Sequence, residues 1–324
     1  MDIAKNLIKQ VKGLHGKIIL PEAENSNLVM QAGLNMAKKG ICEVVFLTTG
    51  KLDGFTAKNV SVVNIKTFDR LDEMAEELYQ LRKHKGITLA DAKKLLKTPM
   101  YFACMMLKLN MASGIVCGAV TSSKDVLKPA LQIIKAREGI TTVSSSFILT
   151  GKGVKSPLVM SDCGLVVDPT SEELCDIAKA SAFTMRNIVG LEPRLAFLSY
   201  SSHSSGAGDS VDKVKQAVKL FKSCKAGAVF DGELQADSAL SKRVAEIKVP
   251  KSKIKGDANV LIMPSLDAGN IGYKLFQQAS GCTAIGPITQ GLAKPVNDLS
   301  RGANLKEIEI AILITLKQAL NNID

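Results

Sequence analysis

KIILPEAENSNLVMQAGLNMAKKGICEVVFL, residues 17–47, decides the fold class. Its first four residues are an apolar, β-rich run that stops at Pro21. Residues 25–39 place Leu28, Ala32 and Met36 on one face of a helix, and Gly40 ends it. Residues 44–47 are again a short apolar strand. Outward from this strand–helix–strand pass the rhythm continues. Leu71, Met74, Leu78 and Leu81 form a second helical stripe, residues 115–117 a buried strand, and residues 125–134 a helix. Strands are predicted at 142–149, 165–167, 195–200 and 260–263, with helices at 172–188 and 211–221. Such alternation specifies an α/β architecture with largely parallel sheets.

A chain of 324 residues is long for one domain and natural for two. No internal repeat, flexible linker or composition shift marks the boundary. With 46% apolar residues and no Trp, the core must be large and mostly aliphatic. The net charge of +11 favours acidic partners. The cations are dispersed, as at Lys248, Lys251, Lys253 and Lys255, and no aromatic residues interleave with them to stack on bases. Solvated helix faces and a basic cleft for a polyanionic small molecule are both compatible with this pattern. The seven cysteines include no CxxC pair, which supports neither a disulfide framework nor a zinc site and fits a reducing cytoplasm. The first residues mix charges with short apolar steps, unlike a signal peptide, and no apolar run approaches the roughly 18–20 residues of a membrane helix.

Three segments have the composition of functional loops. SSHSSGAG, 201–208, follows a predicted strand and opens a predicted helix; its hydroxyls and glycines suit either an anion or an ordinary connection. LRKHKG, 81–86, ends a helix with four basic side chains, which suit either the helix dipole or an anionic ligand. GPITQG, 286–291, and KPVNDLSRG, 294–302, are dense in Gly, Pro and polar residues, so regular structure is not expected there. Ser300 and Arg301 place a hydroxyl and a cation side by side. Asn304 and Glu307 have the spacing of a capping box on the terminal helix, so Glu307 reads either as a cap or as a carboxylate base. Asp231-Gly232-Glu233 reads as an acidic turn. His15, His84 and His203 show no metal-ligand spacing, and no GxSxG elbow is present.

PITQGLAKPVNDLSRG (287–302) and LDAGNIGYKL (266–275) closely resemble the hallmarks of the phosphate acetyltransferase family. LRKHKG (81–86), PALQIIK (129–135), DPTSEELCDIA (168–178), EPRLAFLSYSS (192–202) and FDGELQ (230–235) match in the family's order. The resemblance implies two α/β domains with a cleft between them, like the isocitrate and isopropylmalate dehydrogenase group. Domain one would comprise 1–141 plus 290–324, and domain two the inserted 142–289. It implies a homodimer, and a form of the enzyme without N-terminal regulatory domains. The implied reaction is acetyl phosphate plus coenzyme A giving acetyl-CoA plus phosphate, with CoA as substrate and no cofactor or metal.

By the same resemblance Ser300 would contact the CoA thiol and Arg301 would hold acetyl phosphate and stabilise the oxyanion. The base position falls on Glu307, where the family usually has Asp. Arg82 matches an arginine tied to CoA or phosphate. Lys128 stands where an arginine usually precedes the PALQ run, keeping the charge without the bidentate fork. Asn270, Tyr273 and Lys274 are implied on the CoA side, and Ser123, Ser202 and Gln290 complete the CoA and phosphate contacts. A phosphate butyryltransferase is the nearest alternative, since extra methylenes are worth only a few kcal/mol of discrimination. A non-catalytic CoA or acyl-phosphate binding protein is the other. A nucleic-acid binder lacks a motif.

Overall fold

The computed structural model describes residues 3–13, 15–224 and 226–320. The described residues hold eleven strands: β1 (Lys17–Leu20), β2 (Glu43–Thr48), β3 (Val60–Asn64), β4 (Gly114–Cys117), β5 (Ser144–Thr150), β6 (Leu158–Ser161), β7 (Arg194–Leu198), β8 (Val229–Leu234), β9 (Val260–Ile262), β10 (Thr283–Gln290) and β11 (Val296–Asp298). The chain divides into two compact units. A central unit comprises Glu138–Gly291; a terminal unit joins the residues up to Arg137 with those from Leu292 onward.

The sheet of the terminal unit is parallel throughout, in the order β11-β4-β1-β2-β3. Its inner strands β1, β2 and β4 are apolar runs with both faces covered, as parallel sheets require, while the edge strand β3 is only part-buried. Ile18, Ile19, Leu20, Val44, Phe46, Ile115 and Val116 are all fully buried. The helix Asn27–Lys38 is capped by the Ser26 side chain on the Val29 N–H, and buries Val29, Ala32, Gly33 and Met36. The terminal helix Leu305–Leu320 is inaccessible along Ile308, Ile312, Leu313 and Leu316 and packs on the helix Asn27–Lys38. Buried Asn297 fixes that helix, donating from its Nδ2 to Thr315 Oγ1 and Gln318 Oε1, each at 2.7 Å.

The central sheet runs β10-β5-β6-β9-β7-β8. β6, β9, β7 and β8 are parallel, whereas β5 is antiparallel to both β6 and β10. Phe147, Leu149, Met160, Ala196, Leu261 and Tyr273 share its core.

Three expectations are corrected. Residues 286–290 are strand, not loop: β10 carries a register shift between Ile285 and Ile288, which seats Pro287 where no ladder N–H is needed. The 231–233 segment likewise lies in β8 rather than in a turn. Residues 165–167 are not a strand. The buried Asp162 carboxylate collects the N–H groups of Gly164 and Leu165 at 2.6 and 2.9 Å, bending the chain there, and Val167 is left 71% exposed. The predicted helices 125–134 and 172–188 both form, each finishing in a π-helical stretch, at Ala130–Ile134 and Thr184–Val189.

Candidate active site

In the terminal unit the chain goes outward from β1 to β2 and β3, then returns to the other side of β1 for β4 and β11. The carboxyl ends of β1 and β4 are therefore a topological switch point, where open α/β sheets bind ligands. Buried Glu22 follows β1 and bridges that point. Its Oε2 accepts the N–H groups of Gly118 and Ala119, each at 2.9 Å, and its Oε1 those of Val120 and Thr121, at 3.0 and 2.7 Å. Four backbone donors are thus organised by one carboxylate, and the loop they form leads to Ser123 at the start of the helix Ser123–Pro129.

Beside this loop β11 ends at Asp298, which is 5% exposed. Gly118 has φ +118°, and a Cβ on it would collide with Asp298 Oδ1 and the Leu299 N–H, so only glycine allows the two loops to approach. Oδ1 of Asp298 has no hydrogen-bond partner among the described residues. Burial pushes this carboxyl up to about 6; the Ser123 hydroxyl and the Leu299 N–H pull the other way, and the Glu22 carboxylate adds to the rise. Burial, and then Glu22, also drives the Cys117 thiol upward.

Ser300 and Arg301 emerge directly after this anchored strand and are exposed. The turn closes with Ala303 N–H on Ser300 O at 2.9 Å. Glu307 caps the helix that follows: its Oε2 accepts the Asn304 N–H at 2.9 Å, and its own N–H donates to Asn304 Oδ1 at 3.1 Å. The carboxylate is therefore held seven residues after Ser300, with acceptor capacity left on its second oxygen. Other residues of the same motif are scaffold. Lys294 Nζ donates to the carbonyls of Leu107 (2.7 Å) and Lys108 (3.4 Å) at the end of the helix Pro99–Lys108, and burial and nearby Lys108 lower its pKa.

Arg82 ends the helix Leu71–Arg82, and a short turn closed by Gly86 follows. Its charge acts on buried Tyr101, opposing the rise that burial imposes on the phenol. The Tyr101 hydroxyl donates to Gln132 Oε1 at 2.8 Å, so the LRKHKG and PALQ segments meet through this tyrosine. Lys128 is exposed on the helix preceding Gln132.

The central unit holds the other expected contacts. Tyr273 is buried on the helix Leu266–Ser280, stacked on Phe147 with ring centroids 4.0 Å apart, and burial raises its phenol. Asn270 Nδ2 donates to Cys163 O at 3.0 Å, and Gly269 lets this helix press onto the Asp162 carbonyl where a Cβ would clash. Lys274 is exposed, its Nζ 6.0 Å from the Tyr273 ring centre. The Ser202 hydroxyl is buried, accepts the Gln235 N–H at 2.9 Å and lies 3.3 Å from Ser238 Oγ. Gln290 is 3% exposed; its Nε2 donates to Thr184 Oγ1 at 2.9 Å and its Oε1 accepts from Ser181 and Ser144 at 3.3 and 3.4 Å. Ser202 and Gln290 thus engage their polar groups inside the unit, whereas Lys274 is presented to solvent. The Ser-rich 201–206 loop is held by buried Glu233, whose Oε1 accepts the Ser201 hydroxyl (2.8 Å) and the Ser204 N–H (2.6 Å).

Glu22 and Asp298 were not singled out from the sequence as site residues. The Glu22 partners lie 96 to 99 residues away, and no local pattern announces such a bond. For Asp298 the available signal was a carboxylate two residues before Ser300 at the end of an apolar strand.

The fold and this site define an α/β protein in which a carboxylate-clasped backbone loop and the Ser300–Arg301 turn follow the carboxyl ends of neighbouring parallel strands. The phosphate acetyl/butaryl transferase family matches residues 2–316. A phosphate acetyltransferase of Thermoanaerobacterium thermosaccharolyticum is 41% identical over 328 residues, covering 98% of this chain and all of the relative. One from Clostridium acetobutylicum is 39% identical, covering both chains completely. The crystal structure of a phosphotransacetylase from Streptococcus pyogenes superposes with a TM-score of 0.93 at 37% identity, covering 98% of each chain. The chain belongs to the phosphate acetyl/butyryl transferase family.

Proposed function

We propose that this chain is a phosphate acetyltransferase, moving an acetyl group reversibly between acetyl phosphate and coenzyme A. Full-length likeness to relatives named for acetyl transfer favours acetyl over butyryl phosphate. The observation that carries the mechanism is the Ser300–Arg301 turn, exposed between a buried strand end and a helix capped by a carboxylate.

A CoA thiol, with a pKa near roughly 8.5, is mostly protonated at neutral pH, so a base must take its proton before sulfur attacks the acetyl carbonyl. In our reading Ser300 hydrogen-bonds the thiol and Glu307 takes the proton through the carboxylate oxygen that does not cap Asn304. Arg301 holds the acyl phosphate and stabilises the charge developing on the carbonyl oxygen, where a fixed cation acts most strongly; as the carbonyl re-forms, the acyl C–O bond breaks and inorganic phosphate leaves. Ser123, Lys128 and Arg82 supply further polar and cationic contacts to phosphate groups, and Lys274 serves CoA. Asn270, Tyr273, Gln290 and Ser202 support these contacts by fixing the segments that carry them. Glu22 and Asp298 position the 118–123 loop and the turn. Catalysis in this scheme is direct transfer between two bound substrates with no cofactor. The reading includes a homodimer, checked by light scattering. It also includes a cytoplasmic setting, which the seven free cysteines support; no helix of the described residues is long and apolar enough to cross a membrane.

Glu307→Gln tests the base. Gln accepts the capping N–H as Glu does but cannot take a proton. The expected result is a fall in kcat of about 10²-fold or more with unchanged melting. Unchanged kcat would return Glu307 to capping alone.

A further inference from the structure

Two cysteines meet away from the residues assigned above. Cys175 lies on the helix Ser171–Phe183 and Cys224 directly follows the helix Asp209–Ser223. The two helices pack together, and the Sγ atoms are 3.6 Å apart although 49 residues separate them in sequence. Cys224 is exposed, whereas Cys175 and the other five cysteines are buried. A disulfide joins sulfurs at about 2.05 Å, so an approach of about 1.6 Å closes the bond. Cys224 occupies the C-cap of its helix, beyond the last regular turn, and its thiol donates to the Leu220 carbonyl at 3.3 Å. The surroundings carry a cation. Lys179, one turn along from Cys175, draws that thiol downward against the burial that pushes it up to about 12, while the Asp176 carboxylate, outweighing burial, raises Lys179 itself. An exposed thiol in contact with a second, resolving thiol is the arrangement from which a sulfenic acid passes on to a disulfide.

We propose that Cys175 and Cys224 form a reversible disulfide when the exposed Cys224 thiol meets a hydroperoxide. The Cys224 sulfur attacks one peroxide oxygen and the O–O bond breaks. Cys224 becomes a sulfenic acid and, with hydrogen peroxide, one water leaves. The Cys175 sulfur then attacks the Cys224 sulfur, the S–O bond breaks, and the departing hydroxide takes the Cys175 proton as a second water. Two thiols lose two electrons and two protons, and the peroxide is reduced to two waters. A dithiol reductant reverses the step by exchange.

The bond would tie the helix Asp209–Ser223 to a helix that organises the central unit. Asp176, next to Cys175, accepts the Thr141 N–H (2.8 Å), the Thr141 hydroxyl (2.7 Å) and the Thr142 N–H (3.3 Å), and pairs with Lys179 at 3.0 Å. Burial would raise the Asp176 carboxyl, but the bonds from Thr141 and Lys179 outweigh it and hold its pKa below the usual carboxylate range. Ser181 on the same helix holds Gln290.

The test is titration of the full chain with hydrogen peroxide, followed by alkylation under denaturing conditions and peptide mass mapping. The expected result is a fall in denatured thiol count from seven to five, the Cys175 and Cys224 peptides joined with loss of about 2 Da, and full recovery with dithiothreitol. In Cys175→Ser the same treatment should add oxygen to Cys224, and in Cys224→Ser seven minus one thiols should survive. The proposal is overturned if wild-type Cys224 accumulates sulfinic or sulfonic acid without cross-linking, if the joined peptides involve another cysteine, or if the count stays at seven.

Discussion

The two sheets each place buried carboxylates at their carboxyl ends, but they satisfy them differently. In the central unit, Asp162 takes four donors: the Ser145 N–H and hydroxyl, each at 2.8 Å, and the N–H groups of Gly164 and Leu165. In the terminal unit, Glu22 is as completely used, while its neighbour Asp298 keeps one oxygen without a donor. A carboxylate with its lone pairs filled is a fastening. One that is buried and under-satisfied is destabilised in its charged form and titrates near working pH. That second kind stands two residues before Ser300, where the chemistry is proposed.

The comparison can be broken at its strongest point. Asp162→Ala would leave the two buried Ser145 donors unpaired, at about 1–3 kcal/mol each if unrelaxed, while the part-buried N–H groups of Gly164 and Leu165 can turn to water, for a loss of about 2–4 kcal/mol. Chemical denaturation should show that loss; a change under 1 kcal/mol would mean that the carboxylate is not a fastening. Arg301→Ala sharpens the other side. Its side chain is exposed, so the fold should be unaffected, while kcat/KM for acetyl phosphate should fall about 10²–10³-fold. A loss under fivefold would remove Arg301 from the reaction.

The smallest effect concerns Asp298. Its folded pKa, about 6, lies above the ordinary 3.8. Between these values the folded state binds more protons than the unfolded, so stability falls as pH rises through the window and remains lower above it. Asp298→Asn removes this penalty. The variant should be more stable than wild type at pH 7–8, by at most about 3 kcal/mol in chemical denaturation, and the difference should vanish below about pH 4. An equal difference at both pH values would show that the charge of Asp298 is not the cause.

Most of the scaffold was legible because its elements are locally consistent. The 17–20 and 44–47 runs and the Leu71–Leu81 stripe each form the element their pattern requires. The misreadings lie where pairing overrides composition. Gly286-Pro287 reads as a loop, yet partnership with β5 and a bulge make it strand. β11 has only three residues and depends on β4 for its ladder. Residues 165–167 look like a strand by apolar content, but the side chain of Asp162 supplies a nearer partner for the backbone. In the site, Ser300, Arg301 and the Asn304–Glu307 box could be read from contiguous sequence. The Glu22 clasp and the orphaned Asp298 oxygen could not, since both arise from strands brought together across about a hundred residues or more.

The most direct measurement follows thioester formation by ultraviolet absorbance after mixing the protein with CoA and either acetyl or butyryl phosphate. The account predicts rapid turnover with acetyl phosphate and a lower kcat/KM with butyryl phosphate. No thioester from either substrate, in folded protein that binds CoA, would contradict it.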